Sequence, residues 1–271
     1  MWNLLLRPIN FTTLFYVLII VAVISIVFAL LIVLVSKLCF VKEDERVSAV
    51  SERLAGANCG GCGYAGCADF AKALAEGKAE LCSCGATSNE QKEEIAKILD
   101  IPFTATAQTF AVVKCAGGLK AKDKFDYVGN SGCSAEITYM GGRKLCPEGC
   151  LGGGNCVSAC ADNGVRLKDG VAIVDKSLCV SCGACAKSCP KNLIEFIPVT
   201  AKVYVACSSK CRGKDVMTAC SVGCIGCGLC AKNCPENAIE MVNNLPVINY
   251  EKCSGCKTCV NKCPRKTIKE I

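Results

Sequence analysis

Twenty-nine residues without a charge separate Arg7 from Lys37, and Leu14 to Val35 within them is almost wholly Leu, Ile, Val, Ala and Phe. No polar stripe interrupts the run, so it predicts a helix that is apolar on every side. Such a run is long enough to cross a hydrocarbon layer of about 30 Å. A secretory leader would have a shorter apolar region followed by a small-residue cleavage site. Here Lys37, Leu38, Cys39 and Phe40 follow, so a retained anchor is expected. Past it the pattern changes. Residues 42–57 read as a charged helical connector. Ala68 to Glu76 reads as a helix with Phe70 and Leu74 on one face, broken at Gly77. Ser88 to Asp100 reads as another: Ser88 and Gln91 make a capping box, and Pro102 bars continuation. Phe103 to Val113 alternates weakly, as a strand would. Ala238–Val242 and Pro246–Tyr250 read as a hairpin turning at Asn243-Asn244. Helices thus come first and short strands later, an α+β class.

The rest of the chain has little apolar periodicity but many cysteines. There are 27 Cys in 271 residues and no His. A shift of 74 residues places Cys150, Cys156, Cys160, Cys179, Cys182, Cys185 and Cys189 on Cys224, Cys230, Cys234, Cys253, Cys256, Cys259 and Cys263 without a gap. Cys133 and Cys146 land on Cys207 and Cys220 by the same shift. A repeat that shares mainly its Cys is a thiolate scaffold. Disulfides would need an oxidising compartment, and neighbours in a C-x-x-C-x-x-C triplet make poor structural pairs. Zinc favours two C-x-x-C pairs, often with His. A triplet with a distant fourth Cys before Pro is the bacterial ferredoxin pattern.

In paired runs the fourth Cys ligates the other cluster. Cys224, Cys227, Cys230 and Cys263 are therefore expected to hold one cluster, and Cys253, Cys256, Cys259 and Cys234 its partner. Cys179, Cys182 and Cys185 take Cys160 by the same rule. The remaining run has Gly153 where the repeat has Cys227. Either Cys150, Cys156 and Cys189 hold a three-iron cluster, or Cys146, four residues upstream, substitutes; substitution is favoured. Asn58-Cys59-Gly60-Gly61-Cys62-Gly63-Tyr64-Ala65-Gly66-Cys67 describes a further cluster loop. Its fourth ligand is Cys82 or Cys84, which spacing does not decide. Cys115, Cys133, Cys207, Cys211 and Cys220 are left over and could supply a sixth cluster. Cys39, at the membrane boundary, reads as a small apolar filler.

The formal charge of +7 counts every thiol as neutral. Five 2+ cubanes with four thiolates each would add about −10, so the basic balance does not point to nucleic acid. The chain has no G-x-G-x-x-G loop after a strand, no Walker A loop and no His general base. No nucleotide site and no catalytic site of its own is expected.

Taken together, the anchor, the Gly-rich 58–67 stretch and the ferredoxin runs resemble the B-type, iron–sulfur electron-transfer subunit of Rnf complexes, the ion-translocating ferredoxin:NAD oxidoreductases. The resemblance covers nearly the whole chain. It implies that Cys84, 17 residues after Cys67, completes the first cluster. Gly85, where the family has Pro, and Gly153 depart from the pattern. The implied layout is an anchor at 1–38, a small α-helical 4Fe-4S domain at 39–103, and dicluster ferredoxin-like modules at 104–198 and 199–271. Five 4Fe-4S clusters are expected, or six, one of them 3Fe-4S if nothing substitutes at Gly153. The implied role is relaying electrons from reduced soluble ferredoxin to other subunits of a complex that moves Na+ or H+, flavin-bearing ones among them. The related complex that reduces an iron–sulfur transcription regulator is the alternative, and a non-redox metal-binding membrane protein another. Lys37, Lys42 and Arg46 against Arg7 place the Cys-rich part in the cytoplasm of a bacterial inner membrane.

Overall fold

The computed structural model describes residues 11–38, 44–105 and 107–271; Arg7, Cys39 and Lys42 lie outside them. Two compact units are present, Met1–Asp44 and Glu45–Ile271. In the first, α1 (Phe11–Leu38) is a single helix of 28 residues. Its stretch Leu14–Lys37 is long and apolar enough to cross a membrane. The mid-helix hydroxyl of Ser25 donates to the Val21 carbonyl at 2.8 Å, so that it too is satisfied within the helix.

The second unit begins with three helices, α2 (Glu45–Arg53), α3 (Cys67–Ala75) and α4 (Asn89–Leu99). They bury Val50, Leu54, Phe70, Leu74 and Ile95 in one core. α4 starts where the capping box requires. Ser88 Oγ accepts from the Gln91 N–H at 3.2 Å, and Gln91 Oε1 accepts from the Ser88 N–H at 3.0 Å. It ends on Asp100, which is left-handed.

The first Cys-rich module comprises β1 (Thr109–Val113), α5 (Cys133–Glu136), α6 (Asn155–Ser158), β2 (Val165–Lys168), β3 (Val171–Val174), α7 (Ala184–Lys187) and β4 (Ile194–Pro198). Among the described residues of the alternating 103–113 stretch, only Thr109–Val113 form a strand. The second module comprises β5 (Val203–Val205), α8 (Gly213–Ala219), α9 (Leu229–Lys232), β6 (Ile239–Val242), β7 (Leu245–Ile248), α10 (Thr258–Lys262) and β8 (Ile268–Glu270). Each module has two antiparallel ribbons: an inner hairpin, β2–β3 or β6–β7, and a pairing of its first strand with its last, β1–β4 or β5–β8. The hairpins turn at Asp169-Gly170 and Asn243-Asn244, all four with positive φ, as the tightest hairpin turns demand. Apolar residues such as Val165, Val171 and Leu193 share the first core with Cys150, Cys156 and Cys185, and Cys230 and Cys259 sit likewise in the second. Phe110, Val112 and Ile197 meet Tyr204 and Tyr250 where the modules touch.

Candidate iron–sulfur centres

Four short helices act alike in the two modules. α6, α7, α9 and α10 each start behind a left-handed residue: Gly154, Gly183, Gly228 and Lys257. The reversal folds each Cys loop back and sets the Cys two residues further on upon the helix, where Cys156, Cys185, Cys230 and Cys259 are buried. Around them the thiols gather in sets. Cys224, Cys227, Cys230 and Cys263 line one small cavity, and Cys234, Cys253, Cys256 and Cys259 line a second. Cys185 has Cys179, Cys182 and Cys160 for its neighbours. Backbone N–H groups donate to the sulfurs: Ala111 to Cys179 at 3.5 Å, Ala238 to Cys234 at 3.4 Å, Leu193 to Cys189 at 3.5 Å and Thr267 to Cys263 at 3.3 Å. At Cys263 burial disfavours the thiolate, but the N–H groups of Thr267, Ile268 and Arg265 outweigh it and hold the pKa below the usual thiol value.

The run interrupted at Gly153 differs from expectation. Cys150, Cys156 and Cys189 line a third cavity, and the fourth thiol on its wall is Cys133, not Cys146. Cys146 faces a separate cavity together with Cys115, Cys207, Cys211 and Cys220. The cause is a close approach of backbones. A Cβ on Gly153 would stand 2.5 Å from the Cys133 nitrogen and 2.7 Å from the Gly132 carbonyl carbon. The start of α5 thus lies over Gly153 and brings Cys133 to the place that Cys227 fills in the repeat. Asn155 clamps it, accepting from the Cys133 N–H at 2.7 Å and donating to Ser134 Oγ at 2.6 Å. Behind the clamp, Arg143 pairs with Glu136, whose side chain is 3% exposed, and donates to the Leu151 carbonyl at 2.7 Å. The Arg143→Ala variant leaves that buried carboxylate without its charged partner, with only the residue-143 backbone N–H at 3.0 Å, which costs up to about 3–5 kcal/mol. The expected result is a large fall in melting temperature and loss of iron from the Cys133 set first, checked by calorimetry and iron analysis of the full-length chain.

In the N-terminal domain Cys84 is buried in the helical core, with Cys62 and Cys67 packed against it, while Cys82 is exposed. The Cys67 N–H donates to Asn58 Oδ1 at 2.8 Å, which closes the loop. Burial raises the pKa of the Cys182 thiol in the first module, and Cys59, at the loop's start, is near enough to raise it further. Gly61 and Gly85 make this meeting close. A Cβ on Gly61 would stand 1.9 Å from the Cys182 carbonyl oxygen, and one on Gly85 would stand 2.1 Å from that of Ser181. A proline at position 85 would therefore force this loop to shift. Lys187 Nζ adds a hydrogen bond to the Gly61 carbonyl.

The donor sets suit polynuclear iron–sulfur cores. Three cavities are each lined by four thiols, and among the described residues no three His, Cys, Asp or Glu side chains converge as one metal ion requires. Burial pushes the Cys156 thiol up to about 12 and those of Cys185, Cys224 and Cys259 to about 11. Iron must displace these protons, so loading and proton release are coupled.

Comparison with known proteins agrees with this chemistry. Residues 54–85 match the family described as a putative Fe-S cluster, 172–195 a 4Fe-4S binding domain and 223–267 a 4Fe-4S dicluster domain. The B-type subunit of the Na(+)-translocating ferredoxin:NAD(+) oxidoreductase complex of Acetobacterium woodii is 34% identical over 236 residues, 86% of this chain and 71% of the relative. Its counterpart in the ion-translocating oxidoreductase complex of Methanosarcina acetivorans is 37% identical over 225 residues, 82% and 85% of the two chains. That of the proton-translocating ferredoxin:NAD(+) oxidoreductase complex of Clostridium ljungdahlii is 38% identical over 246 residues, 89% and 86%. The chain belongs to the family of B-type Rnf subunits. Its iron–sulfur domains give it an electron-transfer role within a redox complex. No family match covers Cys115, Cys133, Cys146, Cys207, Cys211 or Cys220.

Proposed function

We propose that this chain is a membrane-tethered relay that takes single electrons from reduced soluble ferredoxin and passes them to the other subunits of an Rnf-type complex coupled to Na+ or H+ movement. The observation that carries this is the close approach of Gly61 and Gly85 to the Cys182 and Ser181 carbonyls, which sets the N-terminal thiol loop directly on the first module. The layout is an α+β chain with an anchor at 1–38, a cluster domain at 39–103 and dicluster modules at 104–198 and 199–271. Cys59, Cys62, Cys67 and Cys84 hold the first 4Fe-4S centre. Cys160, Cys179, Cys182 and Cys185 hold the next, and Cys133, Cys150, Cys156 and Cys189 the third, with four thiols and so four irons. Cys224, Cys227, Cys230 and Cys263, then Cys234, Cys253, Cys256 and Cys259, hold two more. Bound clusters supply one-electron chemistry; the protein holds them, donates N–H groups to their sulfurs and shields them from water. The anchor keeps the thiol domains at the cytoplasmic face of the membrane, where thiolates stay reduced.

Cys227 and Cys256 are exposed, so the second module offers the most open approach to a diffusing partner. Lys257, Lys262 and Lys266 lie exposed around it. Mixing the anaerobic full-length chain with reduced ferredoxin should bleach its visible absorbance and raise EPR signals. A chain that takes no electrons from ferredoxin overturns the proposal. Charge reversal at any of the three lysines should slow this reduction several-fold at low salt, less at high salt. Unchanged rates for all three would place the donor elsewhere.

A further inference from the structure

We infer that Cys115, Cys146, Cys207 and Cys220 hold a sixth iron–sulfur centre, set between the two dicluster modules. This centre rests on the iron–sulfur reading of the other sets and is one that no family match covers. Each module supplies two of the four thiols from equivalent places. β1 ends at Val113 and β5 at Val205, and Cys115 and Cys207 each follow two residues on. Cys146 and Cys220 each stand four residues ahead of the first Cys of a cluster run, Cys150 and Cys224. The hydrogen bonds repeat as well. The Cys150 N–H donates to Cys115 Sγ at 3.5 Å, and the Cys224 N–H to Cys207 Sγ at 3.4 Å.

All four thiols line one cavity of ≈ 260 Å³. Cys207 and Cys220 are buried. Among the described residues no three His, Cys, Asp or Glu side chains converge as one metal ion such as zinc requires. The chamber is roomier than the three cavities lined by other four-thiol sets and has space for a polynuclear core. Cys211 also reaches the wall, but it is half-exposed and has no counterpart in the first module, where the residue four positions after Cys115 is Leu119. It is left outside the ligand set.

The modules are sewn together around this chamber. The Lys122 N–H donates to the Ala219 carbonyl at 2.8 Å, and the Ser221 N–H to the Lys120 carbonyl at 3.1 Å. Within the second module, Arg265 braces the chamber by donating to the Cys220 carbonyl at 2.6 Å. Cys150 belongs to the last thiol set of the first module and Cys224 to the first set of the second, so the chamber adjoins one set of each. An electron crossing between modules oxidises the set on one side as it reduces the bridging centre. That centre is reoxidised as the set on the other side is reduced, with no bond or proton moved.

The test is iron, acid-labile sulfide and zinc per full-length chain, purified without oxygen, with the single variants Cys115→Ala, Cys146→Ala, Cys207→Ala, Cys220→Ala and Cys211→Ala. The parent should carry about 24 irons and about 24 sulfides; each of the first four variants should lose about four of each, and Cys211→Ala none. Integrated EPR intensity after dithionite should fall by one centre in the same four variants. If a variant loses all its iron through misfolding, the parent count still decides. About 20 irons in the parent, or one zinc beside about 20 irons, overturns the sixth centre and leaves the five-centre relay standing. Zinc without sulfide would bring down the relay itself.

Discussion

Alanine in place of Gly61 should part the N-terminal cluster domain from the first dicluster module. The added methyl would stand 1.9 Å from the Cys182 carbonyl oxygen and 2.9 Å from its carbon. Both obstacles are backbone, and that backbone belongs to the loop carrying Cys179, Cys182 and Cys185. It cannot yield without moving its own thiols. Overpacking of this kind costs about 1–3 kcal/mol, and the least costly relief is for the two domains to separate. Gly85, against the Ser181 carbonyl oxygen at 2.1 Å, guards the same contact, so the double variant should be more severe. Gly56→Ala is the control for local backbone strain without a clash, since that position is open but has a φ of +66°. The expected reading is a late, slow rise of the N-terminal centre's EPR signal after mixing with reduced ferredoxin, with full iron content retained. A rate equal to that of the parent would show that electrons do not pass through this contact.

Removal of the iron should unfold both modules while sparing the N-terminal helices. The ribbons have strands of three to five residues, and the short helices that carry a buried Cys have four or five. Isolated two-stranded ribbons are marginal in water. The buried clusters of the modules are partly thiol: Cys150, Cys156 and Cys185 in the first, Cys230 and Cys259 in the second. Each set also joins two runs, Cys160 with Cys179–Cys185 and Cys234 with Cys253–Cys259, so iron ties distant segments and folding follows binding. The helical domain instead buries Val50, Phe70 and Ile95 fully. Chelation without oxygen should therefore bleach the chain and abolish its strand signal in circular dichroism together, with helical signal surviving. In any fold that persists without iron, burial keeps the Cys185, Cys224 and Cys259 thiols at about 11 and Cys156 at about 12, above the unfolded value of 9.0. These thiols favour the protonated form, so this stability is present below about pH 9 and lost as pH rises toward 12. Modules that keep their strands without metal would contradict this.

Much of the site is legible in the spacing of its cysteines. The two complete runs, the capping box at Ser88 and the Asn243-Asn244 turn are local signals, and the structure forms a capped helix and a hairpin there. Spacing alone does not separate Cys84 from Cys82; in the structure Cys84 is buried and Cys82 exposed. Cys133 escapes a sequence reading because its link to the altered run is tertiary. Gly153 is the available signal: glycine where a repeat carries a side chain marks a close backbone approach. The 74-residue register also misleads, because it sets Cys133 opposite Cys207. Strand ends show that Cys207 corresponds to Cys115, and that the first module has extra chain between β1 and its first run, which carries Cys133.

Acid-labile sulfide in the anaerobically purified full-length chain tests the central claim most directly, because it is released by iron–sulfur cores and not by thiolate-bound zinc. About 20 sulfides per chain or more, matched by iron, is the result expected of a cysteine framework built as an electron relay. Zinc as the main metal with no sulfide would contradict it.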